Sequence, residues 1–114
     1  SIDSSSLLPS HQWLPQLKQF ILNDMYKVYN GSTIRQVTVL EDLKRVVFYT
    51  LNYRYCDVIQ ARHKSNNVNI IVDLTRGCYY RKCLDPDCNG VAAGKQHVIE
   101  FAVPKELLAC IFKK

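Results

Sequence analysis

Three cysteines and one histidine in the second half of the chain have the residue types and spacing of a metal site. Six residues separate Cys56 from His63, nineteen separate His63 from Cys83, and four separate Cys83 from Cys88. Three thiolates and one imidazole form a closed tetrahedral zinc site, whereas catalytic zinc sites usually keep one position for water. The spacing therefore predicts one structural Zn²⁺ that holds a small domain together.

Two other cysteines and another histidine compete for this assignment. Cys78 and Cys83 lie five residues apart on a predicted strand, so their side chains point to opposite faces and Cys78 is predicted to be a small apolar residue. Cys110 lies among leucine and isoleucine and is predicted to be in the core, and His97 adjoins an apolar strand. A ligand set in which Cys78 or His97 replaces one of the four stays open as the alternative.

The composition is typical of a single globular domain from a reducing compartment. The 114 residues are 47% hydrophobic and 22% charged, and their five cysteines form an odd set that argues against a disulfide framework. No apolar run approaches the roughly 20 residues of a membrane helix, so no membrane partner is expected. The formal net charge of +5 favours a polyanionic partner.

The beginning of the chain predicts a fragment of a longer protein. It has no initiating methionine, and its first residues are polar and serine-rich. We assign residues 1–12 to a linker or a remnant of cloning, and residues 13–114 to a single zinc-binding domain whose metal site lies within 53–88.

The elements that must position the ligands form an α+β fold, a small zinc-stapled antiparallel sheet with an N-terminal helix and a short C-terminal helix. Apolar residues recur at helical spacing from Leu14 to Val28, and Asn30 and Gly31 end that helix. The stripe is interpreted as core packing, with a partner-binding helix as the alternative. The second helix begins at Pro104.

The strands are predicted from β-branched and aromatic runs. They cover residues 32–40, 46–51, 68–74, 78–83 and 97–103. The third and fourth form a hairpin, the turn at 84–87 brings Cys88 beside Cys83, and residues 52–67 are predicted to be an ordered loop or a short helical turn.

Basic and short polar side chains surround the first two ligands. Arg54, Arg62 and Lys64 bracket Cys56 and His63, which would give a metal-anchored loop fixed positive charge for an anion. A solvated basic loop is the alternative interpretation.

The complete set of predicted nucleotide- or DNA-binding residues is Arg54, Arg62, Lys64, Ser65, Asn66, Asn67, Arg76 and Arg81. Tyr53, Tyr55, Tyr79 and Tyr80 are candidates for stacking on bases. Asp73 is a candidate acceptor that orients His63.

Three strings of residues carry a resemblance to a known family. Residues 53–56 read Tyr-Arg-Tyr-Cys, 62–67 read Arg-His-Lys-Ser-Asn-Asn, and 79–88 end in Lys-Cys-Leu-Asp-Pro-Asp-Cys. Together with the apolar segment 70–74, they closely resemble the zinc-binding domain of the eukaryotic primase-polymerases, and the same type of motif occurs in the herpesvirus helicase-primase. The family pattern places an arginine two residues before the ligand histidine, where this chain has Ala61.

The resemblance implies a division of labour within a longer DNA-directed primase-polymerase. A catalytic core in the same parent chain, using Mg²⁺ or Mn²⁺, would join nucleotides. The zinc domain would hold the 5′-triphosphate of the initiating nucleotide and the nascent primer on a single-stranded DNA template. The resemblance also implies a single-stranded DNA-binding protein as a partner, a role in replication and damage tolerance, and a location in the nucleus, with the mitochondrion as a second location.

The chain itself is not expected to be catalytic. It has no glycine-rich phosphate loop and no zinc-deaminase signature, and Asp85 and Asp87 are interpreted as turn residues rather than a magnesium pair. Two other functions stay open. One is a zinc-dependent protein-interaction module that uses the exposed part of the first helix or residues 107–112. The other is a fragment of a viral helicase-primase.

Overall fold

The computed structural model describes residues 6–7, 11–57, 59–84 and 99–113 of the chain. In chain order the elements are β1 (Ser6–Leu7), α1 (Leu14–Val28), β2 (Thr33–Leu40), β3 (Arg45–Leu51), β4 (Tyr55–Cys56), β5 (Ala61–Arg62), β6 (Val68–Asp73), β7 (Cys78–Cys83), β8 (Glu100–Ala102), α2 (Lys105–Ile111) and β9 (Phe112–Lys113). The predicted α+β class is confirmed, with an N-terminal helix, a five-stranded antiparallel sheet and a short C-terminal helix.

Helix α1 contributes its apolar stripe to the core. A proline lies in the first turn, where its missing N–H removes no intrahelical bond. Leu17, Ile21 and Met25 recur at helical spacing and are fully buried, as the core interpretation of the stripe predicts. The helix ends before Tyr29, whose extended backbone N–H donates to the carbonyl of Met25 at 2.9 Å.

The five-stranded sheet has the order β2-β3-β6-β7-β8, and every pairing in it is antiparallel. Along β3, Val46, Phe48 and Thr50 are buried whereas Arg45 and Leu51 are exposed, which is the alternation of a strand that covers a core with one face. Strand β6 lies in the centre, and all six of its residues are buried.

The β6–β7 hairpin has the predicted position and carries Cys83 to its open end. Val68 pairs with Cys83, and Asp73 pairs with Cys78 beside the turn. Gly77 in that turn has a φ of 68°, and a Cβ there would lie 3.0 Å from the side chain of Leu108 on α2. Glycine is therefore required both by the left-handed backbone and by the close approach of the second helix.

The segment between β3 and β6 differs from its prediction. Instead of an irregular loop or a helical turn, it contains the short antiparallel hairpin β4–β5, in which Tyr55 pairs with Arg62 and Cys56 with Ala61. The turn between them includes Gln60 in a left-handed conformation with a φ of 52°. Two-residue strands are too short to produce a detectable alternation, so periodicity could not reveal this hairpin, which we call the ligand hairpin (residues 53–63).

The two ends of the chain meet. Strand β1 pairs antiparallel with β9, so two residues from the predicted linker contribute to a small second sheet. In α2, Ile111 is fully buried, whereas Cys110 is exposed. The prediction that Cys110 belongs to the core was wrong because a seven-residue helix presents only one face inward, and Ile111 occupies it. No helix in the described ranges is both long and apolar enough to cross a bilayer.

Candidate metal centre

Cys56, His63 and Cys83 converge on one point beside the sheet. Their candidate ligand atoms all lie within 4.8 Å of one another, and Sγ of Cys83 is 3.0 Å from Nε2 of His63. The two thiols are 1% and 5% exposed, and the imidazole is half-buried. Donors at about 2.0–2.3 Å from one ion must lie within such separations of each other. The donor set and its geometry therefore fit a metal ion.

The remaining predicted ligands separate into two groups. Cys88 and His97 lie outside the described residues, as do Asp85 and Asp87. Cys78 lies at the opposite end of β7 from Cys83, where it pairs with Asp73. Five residues of strand span about 16 Å, so Cys78 does not reach the cluster.

The ligand hairpin presents two ligands on one face. The backbone N–H of His63 donates to the carbonyl of Arg54 at 2.9 Å, which extends the β4–β5 pairing by one step. Because side chains alternate along a strand, Arg54, Cys56 and His63 share one face of the hairpin. Ala61, which pairs with Cys56, lies on the same face.

Arg62 lies on the other face of the hairpin, away from the metal ligands. Its guanidinium stacks over the ring of Tyr29 at 4.7 Å from the centroid. Gly31 allows this arrangement, since a Cβ there would come within 2.8 Å of the Tyr29 ring. Arg62 therefore points away from the face that carries Ala61, the position at which the family pattern has an arginine. Sequence reasoning did not identify Tyr29 or Gly31, which carry no signal beyond an ordinary helix end.

Two polar atoms near the ligands are buried without a partner. Within the described part of the chain, Nε of Arg54 and Oδ1 of Asn67 make no hydrogen bond although water does not reach them. Buried polar groups are nearly always satisfied, so such atoms need an explanation. Lys64 and Ser65, between them in sequence, are exposed, and Asn66 is half-buried. The metal-facing side of the hairpin thus carries positive charge and unused hydrogen-bonding capacity.

Arg76 and Arg81 have different surroundings from these residues. Arg76 is exposed at the β6–β7 turn and makes two contacts of 2.5 Å with Glu100, which raise its pKa. Arg81 is largely buried and donates to both carboxylate oxygens of Asp57, at 2.9 and 3.2 Å. The prediction that these two arginines contact nucleic acid stays a prediction, but both side chains have intramolecular partners.

Three of the remaining predicted contributors, Tyr53, Tyr79 and Asp73, are used in the core or at the turn, whereas Tyr55 and Tyr80 are half-buried. Tyr53 and Tyr79 are buried, and Tyr79 packs edge-on against Phe20 and stacks on Phe101, so neither offers a free face to a base. Asp73 accepts a hydrogen bond from the backbone N–H of Arg76 at the far end of β6. The suggestion that Asp73 orients His63 was wrong, because β6 separates them by its full length.

Comparison with known proteins places this chain in a family. A family model described as Herpesviridae UL52/UL70 DNA primase matches residues 39–101. No solved structure matches the chain.

The curated relatives are DNA-directed primase/polymerase proteins. Those of Mus musculus and Homo sapiens are 36% and 35% identical over 74 residues, which is 65% of this chain and 14% and 13% of theirs. The protein of Danio rerio is 32% identical over 87 residues, 75% of this chain and 17% of its own length. The chain thus spans less than a fifth of the curated relatives that it matches. Because the family model covers more than half of the chain and both ligand-bearing segments, the chain belongs to the Herpesviridae UL52/UL70 DNA primase family.

Proposed function

We propose that this chain is the zinc-binding accessory domain of a DNA primase-polymerase, where it holds the 5′-triphosphate of the initiating nucleotide and the nascent primer on single-stranded DNA. The observation that carries the proposal is Arg54, whose buried Nε makes no hydrogen bond within the described residues and which shares a hairpin face with Cys56 and His63. Its positive charge beside the metal ligands would attract a phosphate, and the half-buried side chain would turn on binding so that Nε donates to a phosphate oxygen.

The metal would be Zn²⁺, with Cys88 as the fourth ligand. Thiolate and imidazole donors are those that zinc prefers in structural sites, and three of them already lie together. When bound, the ion would supply no chemistry beyond fixing the backbone that carries Arg54 and Lys64. A fixed loop loses little conformational entropy when it binds a phosphate, and this favours affinity.

Within this site the residues have separate tasks. Arg54 would donate hydrogen bonds to phosphate oxygens, and Lys64 would contribute a mobile positive charge. Ser65, Asn66 and Asn67 follow directly and would add short hydrogen-bonding side chains to the site. The nascent primer and template would lie along the same basic side.

The rest of the proposal concerns the parent protein. The names of the relatives support a nucleotidyltransferase activity in that protein. We assign this activity to a core outside this domain that would use Mg²⁺ or Mn²⁺, and this domain would be non-catalytic. A single-stranded DNA-binding protein as partner and a nuclear or mitochondrial location belong to the same proposal. The protein-interaction alternative would use the exposed part of α1 or residues 107–112, and its available surface is reduced because Leu17, Ile21 and Met25 of α1, and Ile111 and Phe112, are buried.

The test compares primer initiation with primer extension in the full-length parent. Arg54→Gln removes the charge and should reduce initiation about 10- to 100-fold while extension of a supplied primer is retained, since a charged hydrogen bond contributes about 1.5–3 kcal/mol. Cys83→Ala with Cys88→Ala should have the same selective effect. Arg35→Gln, which changes an exposed arginine on β2 outside the predicted nucleotide-binding set, is the matched control.

A direct binding measurement completes the test. The 114-residue chain should bind a nucleoside triphosphate more tightly than the monophosphate, with an affinity that falls as salt rises. Equal loss of initiation and extension in Arg54→Gln, or equal affinity for the two nucleotides, would contradict the proposal.

A further inference from the structure

Arg81 is the most heavily engaged charged side chain in the described structure. It lies on β7 two residues before Cys83, and its side chain is only 10% exposed. A buried guanidinium must recover the hydrogen bonds and charge neutralisation that water would supply. Its partners therefore show which parts of the fold Arg81 joins.

Those partners come from several segments. Nη1 donates to both carboxylate oxygens of Asp57, at 2.9 and 3.2 Å, and Nε donates to the hydroxyl of Tyr53 at 2.6 Å. Asp24 on α1 lies 3.9 Å from Nη2. The guanidinium also lies over the ring of Phe101, 4.9 Å from its centroid. Helix, sheet and ligand hairpin thus meet at one side chain.

Two of these partners lie close to the metal ligand Cys56 in the sequence. Asp57 directly follows Cys56, and Tyr53 precedes it by three residues. The Arg81–Asp57 ion pair therefore connects a residue adjacent to one metal ligand with a residue two positions from another, Cys83. Apart from the metal itself, it is a direct side-chain link between the ligand hairpin and β7.

The electrostatics agree with this internal role. The buried cation is neutralised by the carboxylates of Asp57 and Asp24, and it donates a hydrogen bond to the hydroxyl of Tyr53. The cation is thus matched to these partners and remains charged in the fold.

We propose that Arg81 is a positioning residue for the metal centre. Through Asp57 and Tyr53 it holds the ligand hairpin against β7, so that Cys56 and His63 meet Cys83 at the separation that an ion requires. This assigns Arg81 to metal affinity rather than to nucleic acid, and it does not depend on the proposed nucleotide site.

The test is a metal titration of the 114-residue chain. Co²⁺ is the probe, because its thiolate charge-transfer and d–d bands report ligand geometry, and competition with Zn²⁺ gives the zinc affinity. Outer partners that orient ligands typically contribute about 10- to 100-fold to metal affinity. Arg81→Gln should therefore weaken Zn²⁺ binding by about that factor and shift the Co²⁺ bands, and Arg81→Lys should restore part of the affinity.

Two further variants keep the proposal falsifiable. Asp57→Asn is nearly isosteric and leaves Arg81 with Tyr53 and Asp24, so it should fold even if Arg81→Gln does not, and it should also weaken metal binding. Arg76→Gln breaks an exposed ion pair with Glu100 on the same β-hairpin and should leave affinity and spectrum unchanged. The two single effects at Arg81 and Asp57 should be non-additive in the double variant.

Two outcomes would overturn the proposal. One is a folded Arg81→Gln or Asp57→Asn chain with wild-type Zn²⁺ affinity and an unchanged Co²⁺ spectrum. The other is unchanged metal binding with weakened binding of single-stranded DNA, which would place Arg81 in the nucleic-acid interface instead. Failure of the nucleotide proposal would not produce either result, because no nucleotide is present in the metal titration.

Discussion

Removal of the metal should release the ligand hairpin while the five-stranded sheet stays folded. Two backbone hydrogen bonds report on this hairpin, one within it and one that ties it to the start of β6. The N–H of His63 donates to the carbonyl of Arg54 at 2.9 Å, and the N–H of Val68 donates to the carbonyl of Tyr53 at 2.7 Å. Both amides should be protected from hydrogen exchange only while the hairpin is closed.

The magnitude follows from what holds residues 53–63 in place. Ordering these eleven residues costs about 11 kcal/mol at about 1 kcal/mol each. Burial of Tyr53, about 200 Å² at 25 cal/mol per Å², offsets about 5 kcal/mol. The Arg81 contacts add about 3 kcal/mol, and the two backbone hydrogen bonds add about 2 kcal/mol. Without metal, the hairpin is therefore close to balance between open and closed states.

Metal binding shifts that balance by mass action. At a free Zn²⁺ concentration about 1,000 times the dissociation constant, the closed state gains about 4.1 kcal/mol, which is about a thousandfold in the opening equilibrium. Removal of zinc by a chelator should therefore raise the exchange rates of the His63 and Val68 amides by about three orders of magnitude. The assay is hydrogen exchange followed by NMR, with and without chelator, and re-addition of zinc should restore protection.

The β6–β7 ladder provides the internal reference. Its amides, apart from that of Val68 itself, lie in the five-stranded sheet around the fully buried strand β6 and should change much less than those of His63 and Val68. Cys78→Ser is a matched variant, since this buried cysteine lies outside the cluster, and its response to the chelator should be that of the unmodified chain. Protection of both reporter amides that persists after complete zinc removal would refute the reasoning, because the hairpin would then be closed without the metal.

Three further outcomes are expected. Ala61→Arg places an arginine, as in the family pattern, on the metal-facing side of the hairpin. It should tighten nucleoside triphosphate binding several-fold to about tenfold in a titration at fixed salt. No gain in affinity would contradict the assignment of residue 61 to the anion-binding face. Lys44 has a left-handed backbone with a φ of 50°, which glycine adopts without steric strain. Lys44→Gly should therefore raise the melting temperature by about 2–5 °C, and a decrease would show that Lys44 is not strained. Burial raises the pKa of Tyr53 and Tyr79, because the folded state favours the neutral phenol. The two neutral tyrosines therefore stabilise the fold fully below about pH 10, and this stabilisation is lost as they ionise. The melting temperature should fall above that pH, and it should fall more than in Tyr53→Phe.

Much of the fold could be predicted because its signals are local. The stripe of α1 has the helical period, β3 combines β-branched and aromatic residues, and the β6–β7 hairpin has an apolar run on each side of a Thr-Arg-Gly turn. The ligand hairpin was missed for a physical reason. Its two-residue strands are held by cross-strand pairing, a buried tyrosine and the Arg81 ion pair, and these are long-range contacts that no local pattern reports.

The candidate site also has a part that the sequence could predict and a part that it could not. Residue type and spacing were sufficient to predict Cys56, His63 and Cys83, which the structure brings together. They were not sufficient to separate the arginines, because Arg54, Arg62 and Arg81 are equally basic in the sequence. Only their surroundings in the structure distinguish them. Nε of Arg54 is buried without a hydrogen bond, the guanidinium of Arg62 lies over the Tyr29 ring, and Arg81 pairs with the Asp57 carboxylate.

The location of the basic residues gives the structural metal a functional consequence. Arg54 and Lys64 lie in or next to the ligand hairpin, which the free-energy balance makes metal-dependent, whereas most residues of the core, among them Leu17, Phe48 and Ile70, belong to α1 and the sheet. Loss of zinc would therefore disperse the anion-binding groups without unfolding the domain. A parent protein depleted of zinc in this domain should lose primer initiation yet keep a folded, protease-resistant core. Simultaneous loss of the fold would show instead that the metal stabilises the whole domain and that the hairpin is not an independent unit.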